Sequence, residues 1–331
     1  MTDEQPAQPE RVHNVVLGET TPDAVLAAIS LARRIPGGAP VMFAPRDGIK
    51  AALTTPAHLQ RPRPYRLHVV GHDLARETRE ETIAALENDP RHSLHWYDAN
   101  VWTPEDRAVV ETLTSHGSWF NVPKTHHPFP AIDAAAAPLA LEPDPFTETL
   151  LAMAEARLAP ADEEAWGLAW RDTLEVLADH PLSVPATVKP LLHGMPAELA
   201  PLDRAEGEAL RAEIDHLFGG ASLVKVPAGS LGTAVLLVLP SSRHQPAVPM
   251  AQAAMKRTGC EVALVLYDRS HHAVLVGARH GAEPPVDLRP AFEKLLLLPF
   301  VRRDRLLRGF AQVALVETPK DGLERLVAGL L

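Results

Sequence analysis

The residue pattern predicts an α/β protein of two domains, an N-terminal mainly parallel sheet with added helices and a smaller C-terminal α/β domain, with a cleft between them. Three observations carry this. Short apolar runs alternate with helix-period segments over 12–103 and again over 222–330, the pattern of strand–helix units. At 331 residues the chain is longer than one hydrophobic core commonly serves. Between the two halves, 181–201 carries Pro181, Pro185, Pro190, Pro196 and Pro201, the composition of a boundary. The expected division is a disordered tail over 1–11, an α/β domain with a helical portion over 12–180, a Pro-rich linker and bridging helix over 181–218, and a second, smaller α/β domain over 219–331.

The elements follow in order. Residues 12–17 form a strand that leads into a turn over 18–23. The helix over 24–34 has Val25, Ala28, Ile29 and Ala32 as its apolar stripe; Thr21 is its N-cap, Pro22 takes the first helical position, and Pro36-Gly37-Gly38 stops it. A strand over 41–44 and a short helix over 47–53 come next. The stretch 66–106 reads as strand, helix, strand: Leu67, Val69 and Val70 run into Gly71-His72-Asp73, a helix spans 78–86, and the run over 93–97 ends at Asp98. Beyond it the pattern is helical over 104–114, 146–158 and 162–179, with a Pro- and aromatic-rich loop over 117–147 that carries His126 and His127. A bridging helix spans 203–218. The second half has strands over 222–226, 233–239, 262–267, 273–277 and 311–317, with helices over 248–257, 288–297 and 320–330.

Composition narrows the function classes. A net charge of −10 and a pI near 5.9 argue against a large nucleic-acid surface or a polybasic membrane patch. The single cysteine, Cys260, excludes an intramolecular disulfide framework and a Cys-based zinc site; its place at the start of an apolar run predicts a buried, inert thiol. No signal-peptide pattern and no membrane-length apolar stretch are present, so the expectation is a cytoplasmic protein. There is no Walker loop, G-x-G-x-x-G, G-x-S-x-G or H-E-x-x-H sequence.

Asp73 and Asp98 each follow a strand, at the edge where open α/β sheets bind ligands. Taken singly, each is also a turn former or helix cap. The order of motifs resembles the DHH phosphoesterase family. Pro22-Asp23-Ala24 before a helix of small residues resembles its first motif, H-x-D-x-D-A. Val70-Gly71-His72-Asp73 falls at the second motif. Trp96-Tyr97-Asp98-Ala99-Asn100 resembles the Asp-His-His signature strand. Val265 to Ser270 and Pro285-Val286-Asp287-Leu288 are similar to segments of the family's associated C-terminal domain. The departures are as specific as the matches. Glu19 stands where the first histidine belongs, Thr21 where the first aspartate belongs, and Ala99 and Asn100 where the signature has two histidines. The family's glycine-rich G-G-G-H segment has no counterpart near Pro299 to Phe310, where Arg302, Arg303, Arg305 and Arg308 occur.

The resemblance implies metal-dependent phosphodiester hydrolysis, with two Mn²⁺ or similar ions about 3.5–4 Å apart. Asp23, Asp73 and Asp98 are the metal-ligand candidates, for weak binding of Mn²⁺ or Mg²⁺ or for none; no catalytic residue is assigned. Arg269 and Ser270 at a strand end, with His271 and His272 beside them and Arg302 and Arg305 opposite, are the candidate phosphate ligands. For His271-His272 the other reading is a polar hairpin turn, and for the arginines a solvated helix face. The reading is therefore a catalytically silent relative that binds a phosphate-containing small molecule or short oligonucleotide, or serves as an assembly subunit. The alternative is an active phosphoesterase on short oligonucleotides, cyclic dinucleotides or polyphosphate. Homo-oligomerisation stays open.

Overall fold

The computed structural model describes residues 12–45, 48–49, 52, 65–72, 92–102, 104, 107–108, 111, 117–178, 180–220, 223–227, 232–239, 247–267, 272–277, 287–307 and 310–315. Strands β1 (His13–Glu19), β2 (Val41–Ala44), β3 (Tyr65–Val70), β4 (His92–Asp98) and β5 (Gly117–Asn121) form one sheet in the order β2-β1-β3-β4-β5. Every pairing in it is parallel. Such a sheet is buried on both faces, and the strand sequences match that requirement. Val15, Leu17, Leu67, Val69, Leu94 and Trp96 pack on one side, while Val16, Val70 and Tyr97 pack on the other.

Helix α1 (Pro22–Arg34) starts two residues before the expected span, with Pro22 in its first turn and Thr21 as N-cap. The Thr21 side chain makes no capping hydrogen bond; Pro22 supplies the preset φ instead. α2 (Phe129–Ala136), α3 (Phe146–Ala154) and α4 (Leu168–Leu177) join α1 around Ile132, Met153 and Trp170. The helix expected over 162–179 is interrupted, because Glu163–Gly167 makes a π-type turn ahead of α4.

The loop expected over 117–147 is corrected. It holds β5 and α2. β5 is short, half-buried along its length and without apolar alternation, so no local periodicity marks it. Pairing with β4 forms it, and Gly117 permits the approach: a Cβ there would lie 1.7 Å from the Leu94 carbonyl oxygen. Residues 181–200 are also more ordered than the composition of a linker implies. Val184–Thr187 and Lys189–Leu192 are short helices with proline in their first turns, and Val184, Val188, Leu191 and Leu199 enter the first core.

α5 (Pro201–Gly220) packs on α4 and under the second sheet. On α4 its Arg211 grips Asp172 through Nε at 3.1 Å and Nη2 at 2.5 Å. Its Ile214 and Phe218 pack under the second sheet with Val235, Leu237 and α6 (Ala247–Thr258). That sheet has the order β10-β11-β9-β8-β7-β6. Its strands are β6 (Val224–Pro227), β7 (Thr233–Leu239), β8 (Val262–Tyr267), β9 (His272–Gly277), β10 (Val301–Leu307) and β11 (Phe310–Leu315). β7 and β8 pair in parallel and the other pairs are antiparallel. α7 (Arg289–Leu296) covers its other face through Phe292 and Leu295.

Residues 301–307, read above as a solvated helix face in one alternative, form strand β10. Cys260 is half-buried rather than buried, against the α6 side of the core. The expected tail over 1–11 and helices over 78–86 and 320–330 lie outside the described residues, and those over 47–53 and 104–114 lie only partly within them. Among the described residues no helix is long and apolar enough to cross a membrane.

Candidate functional site

The carboxyl ends of β1, β3 and β4 gather Glu19, Thr20, Asp23, His72, Asp98 and Asn100, all buried. Glu19 and Asp98 are the last residues of β1 and β4, one or two positions further along the strand than periodicity suggested. Asp23 lies in the first turn of α1, where its negative charge meets the positive end of the helix dipole. Gly71 makes this convergence feasible. Its φ of +79° turns the chain after β3, and a Cβ there would sit 2.5 Å from the Ala24 side chain.

Asp98 is enclosed by donors. Its Oδ1 accepts from the Asn100 backbone N–H at 2.8 Å and from Asn100 Nδ2 at 2.5 Å. Its Oδ2 accepts from Trp102 Nε1 at 2.6 Å. Asn121, at the end of β5, donates to the Asn100 carbonyl at 2.9 Å and ties the next strand to the same turn. The Trp96 indole, stacked on Trp119 with centroids 5.3 Å apart, donates to the His72 carbonyl at 2.9 Å.

The segment after β5 returns to the first motif. His126 Nε2 comes within 3.7 Å of Asp23 Oδ2, in a pair that is nearly buried. His127 meets the His126 ring edge-on at 4.9 Å and lies 3.2 Å, through Nε2, from Glu155 Oε1. Arg157 donates to Glu155 Oε2 at 2.6 Å. The hydrogen bond from His127 leads in holding the Glu155 carboxyl down to about 2, against the opposing effect of burial, with Arg157 adding to it. Sequence reasoning singled out His126-His127 but not their approach to Asp23. The missing signal was β5, since the histidines follow directly from a strand end once that strand is recognised.

Asp98 thus ends β4, and Asp23 lies in the first turn of α1. Asp73 lies outside the described residues, and so do Arg269, Ser270 and His271. His272 is the first residue of β9 and Arg305 lies on β10; their side chains are outside the described set. Arg302 is exposed and donates through Nη1 to the Pro299 carbonyl at 3.1 Å and the Val301 carbonyl at 2.9 Å. A register shift between Arg303 and Arg305 puts Arg302 opposite Ala314 and Arg305 opposite Gln312, two positions on one side of the sheet.

A two-ion centre needs several carboxylates and imidazoles that converge with free lone pairs. Here both oxygens of Asp98 already accept from N–H groups, and the neighbouring signature positions are Ala99 and Asn100. Among the described residues no three His, Cys, Asp or Glu side chains are grouped to hold a metal ion. These residues do not fit the two-ion group.

No family model matches the chain, and no curated protein matches it. Solved structures do. A DHH domain described as belonging to a family of ribosomal proteins superposes with a TM-score of 0.59 at 13% identity, over 96% of this chain and 86% of that one. The chain has the DHH phosphoesterase fold. RecJ from Thermus thermophilus, in complex with Mn²⁺, matches with a TM-score of 0.49 at 15% identity, over 96% of this chain and 52% of that one, so the chain spans about half of that protein. A pGpG-specific phosphodiesterase, PggH from Vibrio cholerae, matches with a TM-score of 0.41 at 11% identity, over 96% and 98%. Within the DHH fold of this chain, the strand end that bears the signature ends in an Asp–Asn–Trp hydrogen-bonded turn.

Proposed function

We propose that this DHH-fold protein is catalytically silent and binds a phosphate-containing ligand, a small molecule or short oligonucleotide. The observation that carries the reading is the engagement of Asp98: three N–H donors from Asn100 and Trp102 occupy three of the carboxylate's roughly four lone-pair sites. The residues 12–180 and 219–331 act as two domains in this reading, joined through 181–218. The ligand is held by Arg269 and Ser270, with His271, His272, Arg302 and Arg305 adding charge and donors, because a guanidinium donates two parallel hydrogen bonds to a phosphate. Asp23, Asp73 and Asp98 form at most a weak Mn²⁺ or Mg²⁺ site. A cytoplasmic location, self-association and a role as an assembly subunit belong to the same proposal.

The test pairs two measurements. Calorimetry with Mn²⁺ should detect no stoichiometric binding of two ions tighter than micromolar. Arg269→Ala should weaken oligonucleotide affinity by about 1.5–3 kcal/mol, the range for a hydrogen bond to a charged group. A lower melting temperature with unchanged affinity would instead make Arg269 a structural ion-pair partner and remove the pocket.

One observation favours the alternative of an active metal-dependent phosphoesterase. His126 Nε2 at 3.7 Å from Asp23 Oδ2 brings an imidazole to the motif whose own histidine is replaced by Glu19. Mn²⁺-dependent turnover of a short oligonucleotide that is lost in both His126→Gln and Asp23→Asn would establish this reading and overturn the first.

A further inference from the structure

A second polar constellation lies on the first sheet, on the face packed by α1 and nearer the amino ends of the strands. Parallel register stacks it in two rows. Asn14 pairs with Arg66 and Arg66 with Ser93; one layer up, His68 pairs with His95 and His95 with Ser118. The rest of this face is apolar, with Val16, Val70 and Phe120 as neighbours in the register. Polar side chains on an otherwise hydrophobic, largely covered face are costly unless matched by partners.

One of them is matched. His68 is 1% exposed; its Nε2 lies 3.2 Å from Asn14 Oδ1 and its Nδ1 2.8 Å from the Tyr97 hydroxyl. A single tautomer satisfies both contacts, with Nε2–H donating to Asn14 and Tyr97 donating to Nδ1. His95 is different. It is 6% exposed and stacks on His68 with centroids 5.2 Å apart, yet neither of its ring nitrogens has a hydrogen-bond partner among the described residues. One of those nitrogens must carry a proton in any neutral tautomer. Arg66 Nε is likewise buried without a partner, and no carboxylate pairs with this guanidinium among the described residues. The Ser93 and Ser118 hydroxyls flank the pair, half-buried. Among the described residues the constellation therefore has donors in excess and one positive charge without a paired carboxylate. Burial first, and the Arg66 charge second, hold His95 at about 4, which keeps the imidazole neutral and available as a donor.

We propose that Arg66, His95 and the hydroxyls of Ser93 and Ser118 form a binding site for a small oxyanion of phosphate size. The guanidinium supplies charge and a fork of donors, and the imidazole N–H and hydroxyls supply the remaining hydrogen bonds. The site is separate from the strand-end site, since it sits toward the opposite ends of the same strands.

The experiment is a titration of full-length protein with inorganic phosphate, in a phosphate-free and sulfate-free buffer, followed through the ring ¹⁵N–¹H correlations of histidine. The His95 signal is assigned with His95→Gln. Saturable shifts of the His95 and His68 signals are expected, with affinity reduced at least tenfold in Arg66→Met and unchanged in Arg269→Ala. Arg66→Lys keeps the charge and loses the fork, so an intermediate affinity is expected. Absence of saturable shifts in the wild type, or shifts that persist at full affinity in folded Arg66→Met and Arg66→Lys, would overturn the proposal. Shifts abolished by Arg269→Ala and not by Arg66→Met would assign the phosphate to the C-terminal pocket alone and equally overturn it. The strand-end reading is untouched by either failure, because Asp98 takes no part in this measurement.

Discussion

The two ends of the first sheet solve the problem of burying polar groups in opposite ways. At the carboxyl end, the buried Asp98 carboxylate accepts on both oxygens from donors two and four residues along the chain. Toward the amino end, Arg66 Nε and both ring nitrogens of His95 are buried with no hydrogen-bond partner among the described residues. At the first end, the described hydrogen bonds of Asp98 are internal and local. The second is open to a partner.

The largest effect that tests the contrast is expected at Asp98. Asp98→Ala leaves two buried N–H groups and one half-buried N–H group without this acceptor and should destabilise the protein by about 3–4 kcal/mol in urea unfolding. A neutral or stabilising outcome would mean that the carboxylate is held against repulsion, as in a vacant metal site, and the contrast between the ends would collapse.

The next effect is in pH. Burial leads in lowering His68 to about 3 and His95 to about 4 from the ordinary 6.5, with the neighbouring charges acting in the same direction. The unfolded chain therefore binds more protons than the folded one below about pH 6.5. The contribution is fully present above that value and is lost as pH falls through 4 and 3. His95 alone should remove on the order of 2–3 kcal/mol between about pH 6.5 and 4, read as a fall in urea midpoint without change in slope. His95→Phe should flatten this part of the profile; an unaltered profile would place the titration elsewhere. Glu155, held down to about 2, adds a loss of the same sign at lower pH, between the ordinary carboxylate range and 2.

Smaller effects refine the carboxyl end. Trp102→Phe removes one donor to the charged carboxylate while keeping an aromatic ring, and a loss of about 1.5–2 kcal/mol is expected in the same unfolding measurement. Asn121→Ala cuts the tie between β5 and the Asp98 turn and should cost about 1 kcal/mol, with hydrogen exchange in β5 accelerated more than in β3. Equal acceleration in both strands would show that Asn121 supports the sheet generally.

Much of the frame was legible in the chain itself. The strand–helix alternation predicted two sheets, the run of small and branched residues after Pro22 predicted α1, and the apolar run before Asp98 predicted the strand that it ends. These features are local: each depends on the period of apolar residues or on the fixed geometry of Pro and Gly. What the chain could not declare was anything that depends on a partner far along it. β5 exists because β4 offers it a ladder, and without β5 neither Asn121 nor His126 has an address. The rank of Arg66, His68 and His95 is invisible in sequence, because parallel register between β3 and β4, 27 residues apart from His68 to His95, brings them side by side. Asp98 could be chosen from its position after a strand, but whether it was a ligand or a turn acceptor rested on Trp102 swinging back toward it. Local periodicity fixes which residues are buried; only the tertiary pairing of strands decides which buried polar groups find partners.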